Sequence, residues 1–330
     1  MKKSLFISLV LLTLSINNSA YAQLDGARTY WPMPKNFNIL SVHKVDARLN
    51  ASFNNLSRFD PEVLVDNDLH LLTYTRSQPV FERTFYSTLI APAGDIVAHV
   101  DGPLGASETF YQHGLGDITW SNTINLIGSP GLMIKDYVRH EMNTVVHLQL
   151  AATLPTGKYD EDSPMSIGSN QYKLKLGFPM MSRIGPWIDG KKMALEIFPS
   201  YTFISDNDDY QGQTIKQDGV FAVESHLSRD IIKDAFISLD YSYIDSGDSD
   251  FVNNATGTLV KTQKAKATHL AGATVKFGIN KHLSIFMTHV QTVGSSGNDT
   301  VNLEGSVTKV TLSWAWHDFQ EKFNNYLDSE

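Results

Sequence analysis

Ala235-Phe236-Ile237-Ser238-Leu239-Asp240-Tyr241-Ser242-Tyr243 is the stretch that decides the fold class. Ala235, Ile237, Leu239, Tyr241 and Tyr243 alternate with Phe236, Ser238, Asp240 and Ser242. A period of two residues gives a β-strand with one apolar and one polar face. The same alternation recurs at Val45 to Phe53, where Val45, Ala47, Leu49, Ala51 and Phe53 oppose Asp46, Arg48, Asn50 and Ser52. It recurs again at Ala265 to Phe277 and Val310 to His317. Weaker versions lie at Ile118–Leu126, Val146–Leu154, Tyr172–Phe178, Met193–Phe203, Phe221–Leu227 and Leu283–Thr288. Leu69–Ser77 and Thr84–Ala91 also read as strands, with their facing left open.

That makes about 12 strands, and helical spacing is scarce. An even count brings both chain ends to one side, as in bacterial outer-membrane barrels. The connections alternate between two kinds. Asn54–Asp68, Pro92–His113, Pro155–Ser166, Ser205–Lys216, Asp245–Thr262 and Gly294–Glu304 are long and polar, whereas Ser228–Asp234 and Gly278–Lys281 are tight. Two of the other class, Gly128–Arg139 and Pro179–Lys191, are longer than turns. Long loops on one side and short turns on the other mark an outer-membrane barrel. A soluble β-sandwich or barrel is the alternative, since alternation alone does not say which face is wet. Aromatic residues near strand ends (Tyr201 and Phe203, Tyr241 and Tyr243, Trp314 and Trp316) favour the membrane, where such girdles flank the apolar band. The expected fold is all-β: a transmembrane, antiparallel, up-and-down β-barrel.

Composition narrows the function classes. The 330 residues include 19% charged ones, fewer than the roughly 25% of an ordinary soluble domain, and carry a formal charge of −8. An acidic chain without a long basic run speaks against nucleic-acid binding. With no cysteine there is no disulfide framework, thiolate metal site, cysteine nucleophile or lipoprotein acylation site. Lys2 and Lys3, the apolar Leu5–Ile16 and the small-x-small Ala20-Tyr21-Ala22 read as a signal peptide over residues 1–22, directing export, and with the barrel pattern this places the expected protein in the outer membrane of a Gram-negative cell. The expected organisation continues with residues 23–36 as a periplasmic or lumen-plug segment, 37–319 as the barrel and 320–330 as a tail. Tyr30-Trp31-Pro32-Met33-Pro34 is too rich in proline for a central strand, which favours packing in the lumen or at its rim.

The polar faces would line the lumen. The solute-path candidates are Arg48, Arg76, Lys173, Lys175, Lys264 and Lys266 on the positive side, and Asp117, Glu196, Glu224 and Asp240 on the negative side. Lysine enrichment in a constriction would favour anionic solutes; cross-strand pairing of these charges is the alternative. The acidic clusters Asp160-Glu161-Asp162, Asp206-Asn207-Asp208-Asp209 and Asp245, Asp248, Asp250 have spacing that can share Ca²⁺ or Mg²⁺, but none has the closing glutamate of a calcium loop, and they read as solvated. His226-Leu227-Ser228 places a base and a hydroxyl on one strand face, as a phospholipase-type barrel would, but no third orienting group is evident. A barrel that displays loops without transport is the third class. No catalytic residue, cofactor or metal is expected. The expected partners are outer-membrane lipid and lipopolysaccharide, the barrel-assembly machinery and a small solute.

Four short segments carry a family resemblance: Gly26-Ala27-Arg28-Thr29-Tyr30, Gly114-Leu115-Gly116-Asp117, Leu154-Pro155-Thr156-Gly157-Lys158-Tyr159-Asp160 and Ile167-Gly168-Ser169-Asn170. With them the chain resembles the outer-membrane transporter family labelled "meta-pathway of phenol degradation". Gln171-Tyr172 departs from the family's usual Arg-Trp. The resemblance implies an outer-membrane barrel passing aromatic or other hydrophobic compounds.

Overall fold

The computed structural model describes residues 25–53, 62–101, 107–297 and 301–318. The signal peptide and the 320–330 tail lie outside these residues. The chain forms β1 (Phe37–Phe53), β2 (Glu62–Val80), β3 (Arg83–Asp101), β4 (Ser107–Leu115), β5 (Ile118–Ile127), the single helical turn α1 (Ile134–Tyr137), β6 (Thr144–Leu154), β7 (Lys173–Gly177), β8 (Met180–Arg183), β9 (Met193–Ile204), β10 (Asn207–Tyr210), β11 (Gln213–Gln217), β12 (Val220–Ile232), β13 (Ala235–Asp245), β14 (Ser249–Asn253), β15 (Leu259–Gln263), β16 (Lys266–Gly278), β17 (Leu283–Gly297) and β18 (Val301–His317).

Neighbouring strands pair antiparallel, and β18 returns to β1 from Phe37↔His317 to Phe53↔Val301. β9 pairs with β12, so the sheet is closed. β4 and β5 together form one stave of the wall, both paired to β3. β7 and β8 form another, in one register along β6 and β9. The ring therefore has twelve staves. Closure leaves no unpaired edge for the lipid, where unbonded backbone groups are costly. A separate sheet, β10-β11-β14-β15, stands on the side of the long connections. It packs Phe251, Tyr210 and Ile215 together.

The faces are inverted relative to a soluble barrel. Leu239, Trp120, Leu174 and Leu312 are 64%, 56%, 49% and 46% exposed, while Ser228, Ser238, Asn125 and His147 are fully buried. Water on the outside would reverse both sets; a lipid exterior accounts for both. Trp314 and Trp316 stack with 4.8 Å between ring centroids at the end of β18. Tyr241 and Tyr243 hold the outward His269 between them, with Tyr241 Oη 2.7 Å from His269 Nδ1. An amphipathic ring cluster of this kind suits the membrane–water boundary.

One bulge resets the alternation within a stave. Between Gly94↔Gly114 and Ile90↔Thr119, four steps along β3 face five along its partner. The extra residue falls at Gly116-Asp117. Even-numbered residues face inward on β4, and Ser121, Thr123 and Asn125 face inward on β5. A bulge turns the following side chains to the other face.

The strands are longer than their sequence spans suggest. Much of Asn54–Asp68, Pro92–His113 and Gly294–Glu304, read from sequence as loops, is strand. In these upper parts the interior is apolar. Leu49, Val63, Val65, Ala98, Val100, Leu270, Val290 and Val307 come from strands all round the barrel and form one buried cluster. Val45 belongs to it, so the apolar side of Val45–Leu49 faces inward and its polar side outward. Three lumen assignments are corrected by this geometry. Arg48 lies outside, 73% exposed and 2.8 Å from Asp66. Arg76 sits at the lower rim, bonded to Asp318 at 2.8 Å, because β2 turns its odd-numbered residues inward. Lys264 precedes β16 and pairs at 2.8 Å with the loop residue Asp248, outside the lumen.

Candidate functional site

Two segments of the chain occupy the barrel interior. The first is residues 25–36. Gly26 and Arg28 adopt left-handed backbone angles (φ 97° and 63°) that curl the segment into a compact turn. The Arg28 amide donates to both carboxylate oxygens of Glu196, at 2.9 and 3.2 Å. The Arg28 guanidinium donates to Ser228 Oγ at 3.0 Å and Asp230 Oδ1 at 2.6 Å. It also lies 4.1 Å from the ring centroids of both Trp31 and Phe236. The Asp25 amide donates to Glu224, the Asp25 carboxylate accepts from Lys175, and its carbonyl accepts from Lys309, at 3.1 to 3.2 Å. Tyr30 donates to Asp25 at 2.6 Å and accepts from Gln149 at 2.7 Å.

The base of this segment is tied to the side of the chain ends. The Asn36 amide donates to the Ser77 carbonyl at 3.0 Å, and the Ser77 hydroxyl donates to the Pro34 carbonyl. Tyr137 in α1 donates to the Pro32 carbonyl at 2.7 Å, and burial pushes its own pKa well above the ordinary phenol value. Trp31 stacks on Trp187 at 5.0 Å, beside Met142, Val145, Met181 and Ala194.

The second segment is the connection between β6 and β7. It folds inward, with Met165 in the upper apolar cluster and Ile167 against it. Asp117, exposed by the bulge, is its latch. Asp117 Oδ1 accepts from the Gly157 amide at 2.9 Å, and Oδ2 accepts from the Ser169 amide and hydroxyl at 2.8 and 2.7 Å. Gly157 and Gly168 touch backbone to backbone there. A Cβ on Gly157 would stand 2.7 Å from the Gly116 carbonyl carbon and 2.8 Å from the Gly168 Cα, so no side chain fits. The far end is held by Asn207, which donates to Tyr159 Oη at 2.9 Å and accepts from Asn170 at 2.9 Å.

The sequence candidates thus separate. Glu196, Glu224 and Lys175 meet on the N-terminal segment. Asp240 faces inward in a second network, 2.8 Å from His226 Nδ1 and bonded by Ser238 and Thr274 at 2.7 and 2.5 Å. Lys173 and Lys266 face the interior at the upper ends of β7 and β16, and Asp117 holds the inward connection. Arg28, which makes the most contacts in the interior turn, is the residue that sequence reasoning placed in a motif without a role; its only sequence signal was that motif. His226 and Ser228 take separate partners: Asp240 and Glu224 for the histidine, Arg28 and Glu196 for the serine. Among the described residues, no group of three or more His, Asp or Glu is placed to hold a metal ion.

A family model described as "Putative MetA-pathway of phenol degradation" matches residues 48–305. The chain belongs to this family. Three of the four family-like motifs, Gly114–Asp117, Leu154–Asp160 and Ile167–Asn170, converge on the Asp117 latch; the fourth, Gly26–Tyr30, is the interior turn. Among solved structures, the fold is similar to an outer membrane channel from Pseudomonas putida F1, at 16% identity and a TM-score of 0.69, covering 89% of this chain and 100% of that one. It is also similar to the transport unit of the autotransporter AIDA-I from Escherichia coli, at 8% identity and a TM-score of 0.52, covering 93% and 96%. Among proteins of curated function, none matches the sequence. The fold of this family member is thus that of an outer-membrane barrel.

Proposed function

We infer that the protein is a gated passage across the outer membrane for small amphipathic solutes, with an apolar body and an anionic or hydrogen-bonding head. The observation that carries this reading is the layering of the interior. An apolar collar formed by Val63, Val65, Val100 and Leu270 lies above a polar zone containing Lys175, Glu196, Glu224 and Asp240. An apolar body suits the collar. An anionic head suits a zone whose carboxylates are already engaged by Arg28 and His226. The N-terminal turn is held in place by polar bonds, which water can replace, so it serves as the gate. Above the lipid belt, the outward Lys44, Arg48 and His70 stand among Asp46, Asp66 and Asp68, where lipopolysaccharide headgroups would meet the barrel.

Planar-bilayer recording of the refolded, processed chain in a salt gradient tests the reading. Wild type should give rare, brief openings with anion-selective reversal potentials, and benzoate should shift them. A barrel that migrates as folded in detergent gels, yet gives no step and takes up no benzoate in vesicles, would favour a display role without transport.

A further inference from the structure

The N-terminal turn is bonded unevenly around its circumference. Toward β7, β9, β12, β13 and β18 it makes every charged contact with the wall described above. Toward β3, β5 and β6 its upper part makes one well-formed hydrogen bond, from Gln149 to Tyr30, beside the approach of the His147 ring to the Tyr30 backbone.

The wall on that second side is polar, buried and incompletely satisfied. Tyr86, Thr123 and Gln149 are cross-strand neighbours in one inward row, because Tyr86 pairs with Thr123 and Thr123 with Gln149. His147 lies one inward position below Gln149, and its ring packs edge-on against Tyr86 at 5.8 Å. Tyr86, His147 and Gln149 are 3%, 0% and 4% exposed. Gln149 Oε1 has no hydrogen-bond partner, and the Tyr86 hydroxyl and the His147 ring make no well-formed bond, their polar neighbours being Thr123 and the Tyr30 backbone. Buried polar atoms are nearly always bonded, to protein or to a guest. These under-satisfied atoms on β3 and β6, either side of β5 and opposite the weakly held side of the turn, mark a seam that takes hydrogen-bonding guests.

We propose that Tyr86, His147 and Gln149, with Tyr30 opposite, form a hydrogen-bonding site in the seam between the N-terminal turn and the β3–β5–β6 wall, and that water and the hydroxyl or carboxylate heads of small solutes pass the turn there. This rests on the passage reading, and adds a narrow route used while the turn is seated, beside the wider opening made when the turn leaves. The seam offers a phenol, an imidazole and an amide, which together can donate to and accept from a head group. The opposite side offers groups already engaged by Arg28 and Asp25.

The test compares Thr123→Cys, on the seam, with Ser200→Cys, on β9 behind the bonded side, in the full refolded barrel. Each is treated with the small thiol reagent methanethiosulfonate ethylammonium and followed by mass shift, which needs no current. Thr123→Cys should react at least tenfold faster, while Arg28 remains seated as judged by unchanged amide exchange of residues 26–31. Equal rates, or a faster Ser200→Cys, would overturn the seam. A second measurement uses glycerol-driven swelling of vesicles carrying the barrel. Gln149→Leu with Tyr86→Phe should slow swelling at least threefold while heat-dependent gel migration is kept; unchanged swelling would also overturn it. If wild type shows neither swelling nor conductance but Thr123→Cys still reacts preferentially, the passage reading fails and the hydrated seam stands.

Discussion

Replacing Arg28 by alanine should unseat the N-terminal turn, and the structure sets the size of the effect. The guanidinium makes a 2.6 Å ion pair with Asp230, whose side chain is 5% exposed, and a 3.0 Å bond to Ser228. It also makes two ring contacts, at 4.1 Å from the Trp31 and Phe236 centroids. Removing one member of a buried ion pair costs about 3–5 kcal/mol when the other charge is left dry. Here unseating admits water to Asp230, which recovers part of that cost. A charge-assisted bond of about 1.5–3 kcal/mol plus cation–π contacts of about 0.5–1 kcal/mol each then gives roughly 2–3 kcal/mol for the seated state once hydration of the released arginine is deducted. At about 1.4 kcal/mol per decade, the unseated population rises roughly 30- to 150-fold. In bilayers, Arg28→Ala should show open times lengthened on that scale, with faster amide exchange at residues 26–31. Arg28→Lys should fall between, keeping the charge but losing the planar fork. Conductance and exchange indistinguishable from wild type in Arg28→Ala would refute the reasoning, because they would mean that the turn is held without the contacts that dominate its geometry.

Three other outcomes are expected. Asp117→Ala removes three hydrogen bonds to the inward connection, so trypsin should cleave after Lys158 at least tenfold faster, and cleavage at the wild-type rate would count against the latch. Lys264→Gln should leave the reversal potential unchanged, whereas changing Lys173, Lys175 and Lys266 together to glutamine should move it toward cation preference; the opposite pattern would show that the wall facing is misassigned. Lys261 lies over the Phe251 ring at 4.9 Å, and burial lowers its pKa to about 8. Its protonated form is therefore penalised in the folded outer sheet, and stability should rise as pH climbs from about 8 toward the unfolded value near 10.4. Exchange protection at Phe251, corrected for intrinsic rates, should increase over that window in wild type but not in Lys261→Met.

Much of the wall was legible because the lipid makes alternation informative. Ala235–Tyr243 and Val146–Leu154 face as their patterns say, with Ser238, Asp240, His147 and Gln149 inside. Val45–Leu49 shows the same pattern and faces the opposite way. Above the lipid belt the outside is wet and the interior is a dry apolar collar, so the same alternation serves a strand of reversed facing. That reversal misplaced Arg48, and the open facing of β2 misplaced Arg76. Lys264 was read as part of β16, although it belongs to the approach from the outer sheet. Glu196 and Glu224 were legible as inward residues, but their partners were not, because Arg28 and Asp25 are about 170 to 200 positions away in the chain and reach them only through the interior. Asp117 was visible as a motif residue, but its latch depends on a backbone contact between two glycines that no periodicity reveals.

The bonds of the N-terminal turn also fix an order of events. Its partners are 150, 168, 202 and 284 positions away along the chain, on strands that surround the turn only when the cylinder is complete. The segment therefore lacks its complete seat, including Lys309, until β18 has met β1. Contacts of such separation form late, since long stretches of chain must be ordered first. Up to that moment the nascent barrel is an unsealed hole in the membrane. Full seating of the turn follows closure, and it is complete only if Glu196, Asp230 and Lys309 have all arrived in register. A strand slipped by one residue would turn those side chains into the lipid and leave the turn without a seat, so the stopper doubles as an inspection of the wall built after it in sequence.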